Sequence, residues 1–264
     1  MGGCSPQRLF YYPNRILYAD PAEEGIPYQV VEYPSLNGKK LTGIVFSAPG
    51  IPKGTVVFFH GNFGNISNHI EQCRFLSDYG FDVLIFDYEG YGASEGSPTP
   101  KRTLMDGIAT VRYAHDHSRS PGKGVVVFGQ SLGGVIAIGV AAQEPLVRGA
   151  LIESAFSSYR RMVRWVLTRH MWGWPLYPIA PLLVDWHHDP IDAIARISPR
   201  PVFLIHGDHD ETVPSFMSEQ LYAAAREPKK LWIVPGADHL SCRRTNRKKY
   251  DEEVVDFLTR ALAN

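Results

Sequence analysis

The sequence predicts an α/β domain, with a mostly parallel β-sheet covered by helices on both faces. Three observations lead there. Short apolar runs alternate with stretches of helical spacing from about residue 28 onward. Some of these runs, Thr55 to Phe59 most clearly, are continuously apolar, as a strand buried on both faces requires. The chain of 264 residues, 44% hydrophobic, is long enough to bury a sizeable core, and it shows neither an internal repeat nor an inter-domain linker.

Taken in order, Tyr28 to Tyr33 and Leu41 to Phe46 read as two strands joined at the turn residues Asn37-Gly38. After Thr55 to Phe59, residues 66 to 79 place Ile66, Ile70, Cys73 and Leu76 at helical spacing, and Gly80 closes the segment. Val83 to Phe86 is the next buried strand, and Thr103 to His117 a helix. Val125 to Phe128 is a strand followed at once by a Gly-rich turn and an apolar helix from Leu132 to Ala142. Ala150 to Ile152 and Val202 to Ile205 are strands. A helix from Ser215 to Arg226, the strand Leu231 to Val234 and a helix over about 247–262 complete the pattern. Residues 1–27 read as a separate anchor or linker ahead of a domain at 28–264.

The alternation is interrupted at about 156–190. This stretch holds four of the five tryptophans (Trp165, Trp172, Trp174, Trp186) and the prolines Pro175, Pro178, Pro181 and Pro190. So long an insertion between strands reads as a helical lid, placed at the strand ends where such sheets bind ligands. Arg160, Arg161, Arg164 and Arg169 lie among its tryptophans. Trp165, Trp172 and Trp174 either face a substrate pocket or, with these arginines, meet a lipid surface or anionic head group.

Composition removes several classes. Lys plus Arg (27) balance Asp plus Glu (27), which argues against a nucleic-acid binder. Three cysteines, Cys4, Cys73 and Cys242, make no disulfide framework and match no zinc spacing, and no apolar run is long enough for a membrane-spanning helix. His187-His188-Asp189 and His206-x-Asp208-His209 do not read as a metal cluster, and no metal or cofactor is expected. Gly3-Cys4-Ser5 is similar to the cleavage end of a bacterial lipoprotein signal lacking its apolar part. On that reading Cys4 is acylated in a longer precursor; otherwise the chain is cytoplasmic.

The sharpest chemical signal is Gly129-Gln130-Ser131-Leu132-Gly133, between a strand and a helix. The turn lifts Ser131 Oγ above the sheet edge at a helix N-terminus, where free backbone N–H groups favour negative charge. A serine hydroxyl needs an oriented base to become a nucleophile. His239, in Pro235-Gly236-Ala237-Asp238-His239, supplies one after the last strand. Asp210 or Asp208, in the loop His206 to Pro214, supplies the acid that orients it. An oxyanion needs two donors. The N–H of Leu132 is one, and Asn62, with Phe63 as the alternative, offers the other from His60-Gly61-Asn62-Phe63-Gly64-Asn65.

Together HGNFGN at 60–65, DYEGYGASEG at 87–96, GQSLGG at 129–134, HGDHDETVP at 206–214 and GADH at 236–239 resemble the α/β-hydrolases, in particular their Bem46-like and serine-aminopeptidase-like branch. The resemblance spans about residues 28–262. It implies the α/β-hydrolase fold with eight strands, a triad of Ser131, Asp210 and His239, and hydrolysis of esters, thioesters or amides without metal or cofactor. Its D-x-x-V-P pattern selects Asp210 over Asp208. Glu89 departs from it, standing where the branch commonly has Arg. The expected reaction is cleavage of a small or lipid-like carboxylic ester with an apolar acyl group, with peripheral membrane contact and no obligate protein partner. The rivals are an acyl-protein thioesterase, an aminopeptidase that would need Glu89, Glu95 or Glu153 around the substrate amine, and a non-catalytic binding module.

Overall fold

The computed structural model describes residues 10–23, 25–169 and 189–263. Eight strands form one sheet: β1 (Gln29–Pro34), β2 (Lys40–Phe46), β3 (Thr55–Phe59), β4 (Asp82–Phe86), β5 (Val125–Gln130), β6 (Val147–Glu153), β7 (Val202–Gly207) and β8 (Lys229–Val234). Their spatial order is β8-β7-β6-β5-β3-β4-β2-β1. Every neighbouring pair is parallel except β1 with β2 and β2 with β4, so β2 alone runs against the rest. The β1–β2 hairpin turns at Gly38, whose φ of +82° is easily reached only without a β-carbon.

The five longer helices are α1 (Pro100–Asp116), α2 (Leu132–Ala141), α3 (Tyr159–Arg169), α4 (Phe216–Ala224) and α5 (Arg247–Ala263). Strand periodicity divides the core in two. Val57, Phe59, Val125, Val127 and Ile152 pack under α1, α2 and α3 on one face. Val56, Phe58, Val126, Phe128 and Leu151 pack against α5 and the helical turns of 66–78 on the other. Each large apolar side chain so buried contributes about 1.5–3 kcal/mol. α2 is the central helix, and nine of its ten residues are buried.

Three expectations change. Residues 66–79 are not one helix but a 3₁₀ turn (Ile66–Asn68) and two α-turns (Ile70–Cys73, Phe75–Asp78). The apolar spacing is real, because Ile66, Ile70, Cys73 and Leu76 are all buried. The chain bends at His69, whose ring stacks on His60 at 5.2 Å and whose Nε2 meets the Phe63 carbonyl at 3.0 Å. β6 begins three residues before the expected Ala150: Arg148 and Gly149 interrupt its apolar run, and the pairing with β5 shifts register there, from Val125 opposite Val147 to Val126 opposite Gly149. The N-terminal segment is no linker from Phe10 on. Phe10 and Tyr11 are buried beside Phe156 and Tyr159, and Tyr12–Pro13 pairs in parallel with Phe63–Gly64.

The insertion leaves β6 through α3. Trp172, Trp174, Trp186, His187 and His188 lie outside the described residues, as does Cys4. Among the described residues no helix is long and apolar enough to cross a membrane, and no group of three or more His, Cys, Asp or Glu could hold a metal ion.

Candidate active site

Ser131 stands between β5 and α2 at φ +54°, ψ −121°, a conformation that costs a non-glycine residue of order 1–3 kcal/mol. Close packing enforces it. A β-carbon at Gly129 would lie 2.4 Å from the Gly133 carbonyl oxygen, and one at Gly133 would lie 2.0 Å from the Phe59 oxygen. The two glycines therefore let the turn close and let α2 press against the end of β3. The Ser131 N–H donates to the Glu153 carbonyl at 2.9 Å, tying the turn to β6.

Two loops from distant parts of the chain converge on the hydroxyl. His239, after β8, places Nε2 3.2 Å from Ser131 Oγ and Nδ1 2.7 Å from Asp210 Oδ2. Asp210, after β7, is held by the N–H groups of Thr212 (3.0 Å) and Val213 (2.8 Å) on its other oxygen. Burial works to raise the Asp210 pKa. Hydrogen bonds from His206, His239 and Val213 outweigh it, so the carboxyl stays well below the usual carboxylate range. Asp208 does other work: exposed, it accepts the Gly236 N–H at 2.6 Å and braces the turn that carries His239.

The loop 60–65 lies beside the serine, since a β-carbon built on Gly61 would be 4.0 Å from that of Ser131. His60, fully buried, bonds the Gly61 carbonyl through Nδ1 at 2.8 Å. A trans peptide points its N–H opposite to its C=O, so the Asn62 N–H is aimed away from the buried histidine. The Asn62 carbonyl is taken by the Tyr12 N–H (2.9 Å) and the Tyr91 hydroxyl (2.8 Å), and the Phe63 side chain is half exposed. Leu132 opens α2, in the first turn, where an amide has no intrahelical acceptor.

A family profile described as serine aminopeptidase, S33, matches residues 50–196. The uncharacterized protein YfhR of Escherichia coli K12 is 31% identical over 262 residues, covering 96% of this chain and 87% of YfhR. Protein bem46 of Schizosaccharomyces pombe is 27% identical over 85% of this chain and 76% of its own. The chain is an α/β-hydrolase of the Bem46-like branch. Among solved structures, the Pyrococcus furiosus esterase Pf2001 superposes with a TM-score of 0.78 at 22% identity, over 95% of this chain and 98% of that one. The likeness is one of fold.

In this hydrolase, Trp165 packs edge-on against Phe216 at the start of α4, with ring centroids 6.1 Å apart, and Arg169 covers its ring at 5.1 Å. Arg169 also reaches Glu211, next to Asp210, so α3 is tied to the acid loop. Glu89 and Glu153 are each 1% exposed and already engaged, Glu89 by Asn37 and Glu153 by Gln130 and Tyr250. Glu95 is bonded to Lys40 N–H on the β1–β2 hairpin.

Sequence reasoning passed over three participants. His206, Tyr88 and Tyr91 lie inside quoted motifs, yet no local signal says that His206 touches Asp210 or that Tyr88 and Tyr91 bond the carbonyls of His60 and Asn62. The strap of residues 10–18 carries no motif at all.

Proposed function

We propose that this hydrolase cleaves carboxylic esters with an apolar acyl group through an acyl-enzyme, with Ser131 as nucleophile, His239 as base and Asp210 as its orienting acid. One observation carries the reading: a single imidazole is within hydrogen-bond reach of the serine hydroxyl at one nitrogen and of a buried carboxylate at the other. With Asp210 ionised, Nδ1 keeps its proton and Nε2 presents a lone pair to the Ser131 hydroxyl.

Ser131 Oγ attacks the ester carbonyl carbon as its proton passes to His239 Nε2. The oxyanion that forms sits between the N–H groups of Leu132 and Asn62, each worth about 3 kcal/mol in the transition state. Collapse expels the alcohol, which takes its proton from His239. Water then attacks the acyl-enzyme with His239 again as base, and the carboxylic acid leaves as Ser131 regains its proton.

The side chains near the site favour an ester over an N-terminal amine. Aminopeptidase action calls for an anionic partner for the substrate's ammonium, and the three carboxylates suited to it by sequence are buried or engaged elsewhere. Trp165, packed on Phe216 and joined through Arg169 to the loop of Asp210, supports an apolar acyl group as the partner of this face. The test is hydrolysis of short p-nitrophenyl esters beside aminoacyl-arylamides, with fluorophosphonate labelling. The wild type hydrolyses the esters and labels, and Ser131→Ala does neither. Equal ester rates in the two proteins, or preference for the arylamide, would overturn the reading.

A further inference from the structure

A glycine-containing loop supplies an oxyanion donor efficiently only if its amide is already aimed before substrate arrives, because that preorganisation is the source of the rate. The loop 60–65 contains Gly61 and Gly64, the latter at φ +84°, and would by itself sample many backbone states. Its neighbours remove that freedom. On one side the Gly61 carbonyl is held by His60. On the other, the Asn62 carbonyl accepts two hydrogen bonds, from Tyr12 N–H and from Tyr91 OH, which uses both its lone pairs. Both peptides flanking the Asn62 Cα are clamped.

The first of those donors belongs to the segment that the sequence sets apart from the domain. From Phe10, seated edge-on to Tyr159 at 4.9 Å, the chain runs along the loop. Asn14 N–H reaches the Gly64 carbonyl at 3.3 Å, and Tyr18 N–H reaches Ser67 Oγ at 3.0 Å. Asn65, 6% exposed, closes the arrangement. Its Nδ2 donates to the carbonyls of Ile16 (2.8 Å) and Asn14 (3.3 Å), while its Oδ1 accepts Ser67 N–H at 3.0 Å. Gly92 N–H adds a bond to the Asn14 carbonyl at 3.0 Å.

We infer that residues 10–18 form a positioning strap which, with Tyr91 and with Asn65 as its clasp, holds the Asn62 amide at the angle an oxyanion requires. The inference rests on the proposed role of Asn62 as a donor. It makes the N-terminal segment part of the catalytic apparatus, so any event that lifts the strap slows turnover without touching Ser131, His239 or Asp210.

Asn65→Asp is nearly isosteric, keeps the Oδ1 acceptor and replaces the two strap donors by an oxygen. Tyr91→Phe removes the second bond to Asn62, and Tyr12→Pro removes the first. For each, kcat on a p-nitrophenyl ester is divided by the sites titrated with a fluorophosphonate, and the Ki of a trifluoromethyl ketone, which mimics the tetrahedral adduct, is measured. Turnover per site is expected to fall by about 10-fold or more with KM within about twofold, and Ki to rise by the same factor as kcat/KM falls. Unchanged turnover per site, with only the melting temperature or the titratable fraction reduced, would make the strap a stability element and overturn the inference. A loss in Tyr91→Phe alone would overturn it equally. If one strap variant fails to fold, the other carries the test. A wild type that neither turns over nor labels would instead remove the hydrolase reading beneath it.

Discussion

His206 Nε2 lies 3.2 Å from Asp210 Oδ2, the same oxygen that receives the bond from His239 Nδ1. The His206 ring is wholly buried, with Nε2 also 2.7 Å from the Val213 carbonyl and Nδ1 2.6 Å from Ser218 Oγ. Because both neighbours of Nε2 are acceptors, that nitrogen carries a proton, and Nδ1 pairs with the Ser218 hydroxyl. His206 thus fixes the rotation of the Asp210 carboxylate, which in turn sets the plane of the His239 imidazole.

Replacing His206 by Phe puts an apolar ring in its place and removes its three polar contacts, to Asp210, Val213 and Ser218. The variant is expected to lose about 2 kcal/mol of stability, from buried partners left unpaired, and roughly tenfold in kcat. Urea unfolding and ester kinetics check it; wild-type values in both would show that the carboxylate needs no second histidine.

Asp210→Asn should fold and lose about 10³–10⁴ in kcat, since an amide leaves the imidazole in the wrong tautomer. Its stability gap to the wild type follows from linkage. The Asp210 carboxyl titrates lower in the folded chain than in the unfolded one. Its contribution is therefore present above the unfolded value of about 3.9 and is lost as pH falls through the folded value. Unfolding free energies of the two proteins should differ at pH 7 and converge only in strong acid.

Gly133→Ala places a methyl group 2.0 Å from the Phe59 carbonyl oxygen, which is backbone and cannot swing aside. The expected cost is about 3 kcal/mol, or roughly 6–12 °C in melting temperature for a domain of this size. Ester hydrolysis, on the proposed reading, should fall further than stability explains, because Phe59 leads directly into the loop 60–65 beside Ser131. Gly122→Ala, with nothing within 4 Å of the new methyl, is the control and should melt like the wild type.

Asp106 is another buried carboxyl, away from Ser131, His239 and Asp210. Burial pushes its carboxyl up to about 7, against hydrogen bonds from Glu89 N–H and Ser35 Oγ, with the nearby Glu89 carboxylate adding to the rise. The sign is opposite to that of Asp210. The folded chain holds this proton more tightly than the unfolded one, so stability is greatest below about pH 4 with respect to this group and falls as pH rises through about 7. Asp106→Asn should flatten the decline in unfolding free energy between those limits. An unchanged slope would show that the carboxyl is ionised throughout.

The order of strands and helices, the turn at Ser131 and the two loops that hold Asp210 and His239 are all legible in the amino-acid order, because each depends on local rules. Continuous apolar runs make two-faced strands, and only glycines at 129 and 133 permit a turn so tight. What tertiary structure alone decided is which polar groups meet across the fold. The D-x-x-V-P resemblance favours Asp210 over Asp208, but only the bend of the loop sends Asp208 to the Gly236 N–H and Asp210 to His239. The bend at His69 breaks a helix whose spacing is intact. Tyr12 finds Asn62 through a backbone N–H, a donor that every residue but proline possesses, so nothing in the sequence could mark it. Side-chain identity is written along the chain; the pairing of backbone groups between distant segments is set when the chain packs, since only then must each buried donor find its acceptor.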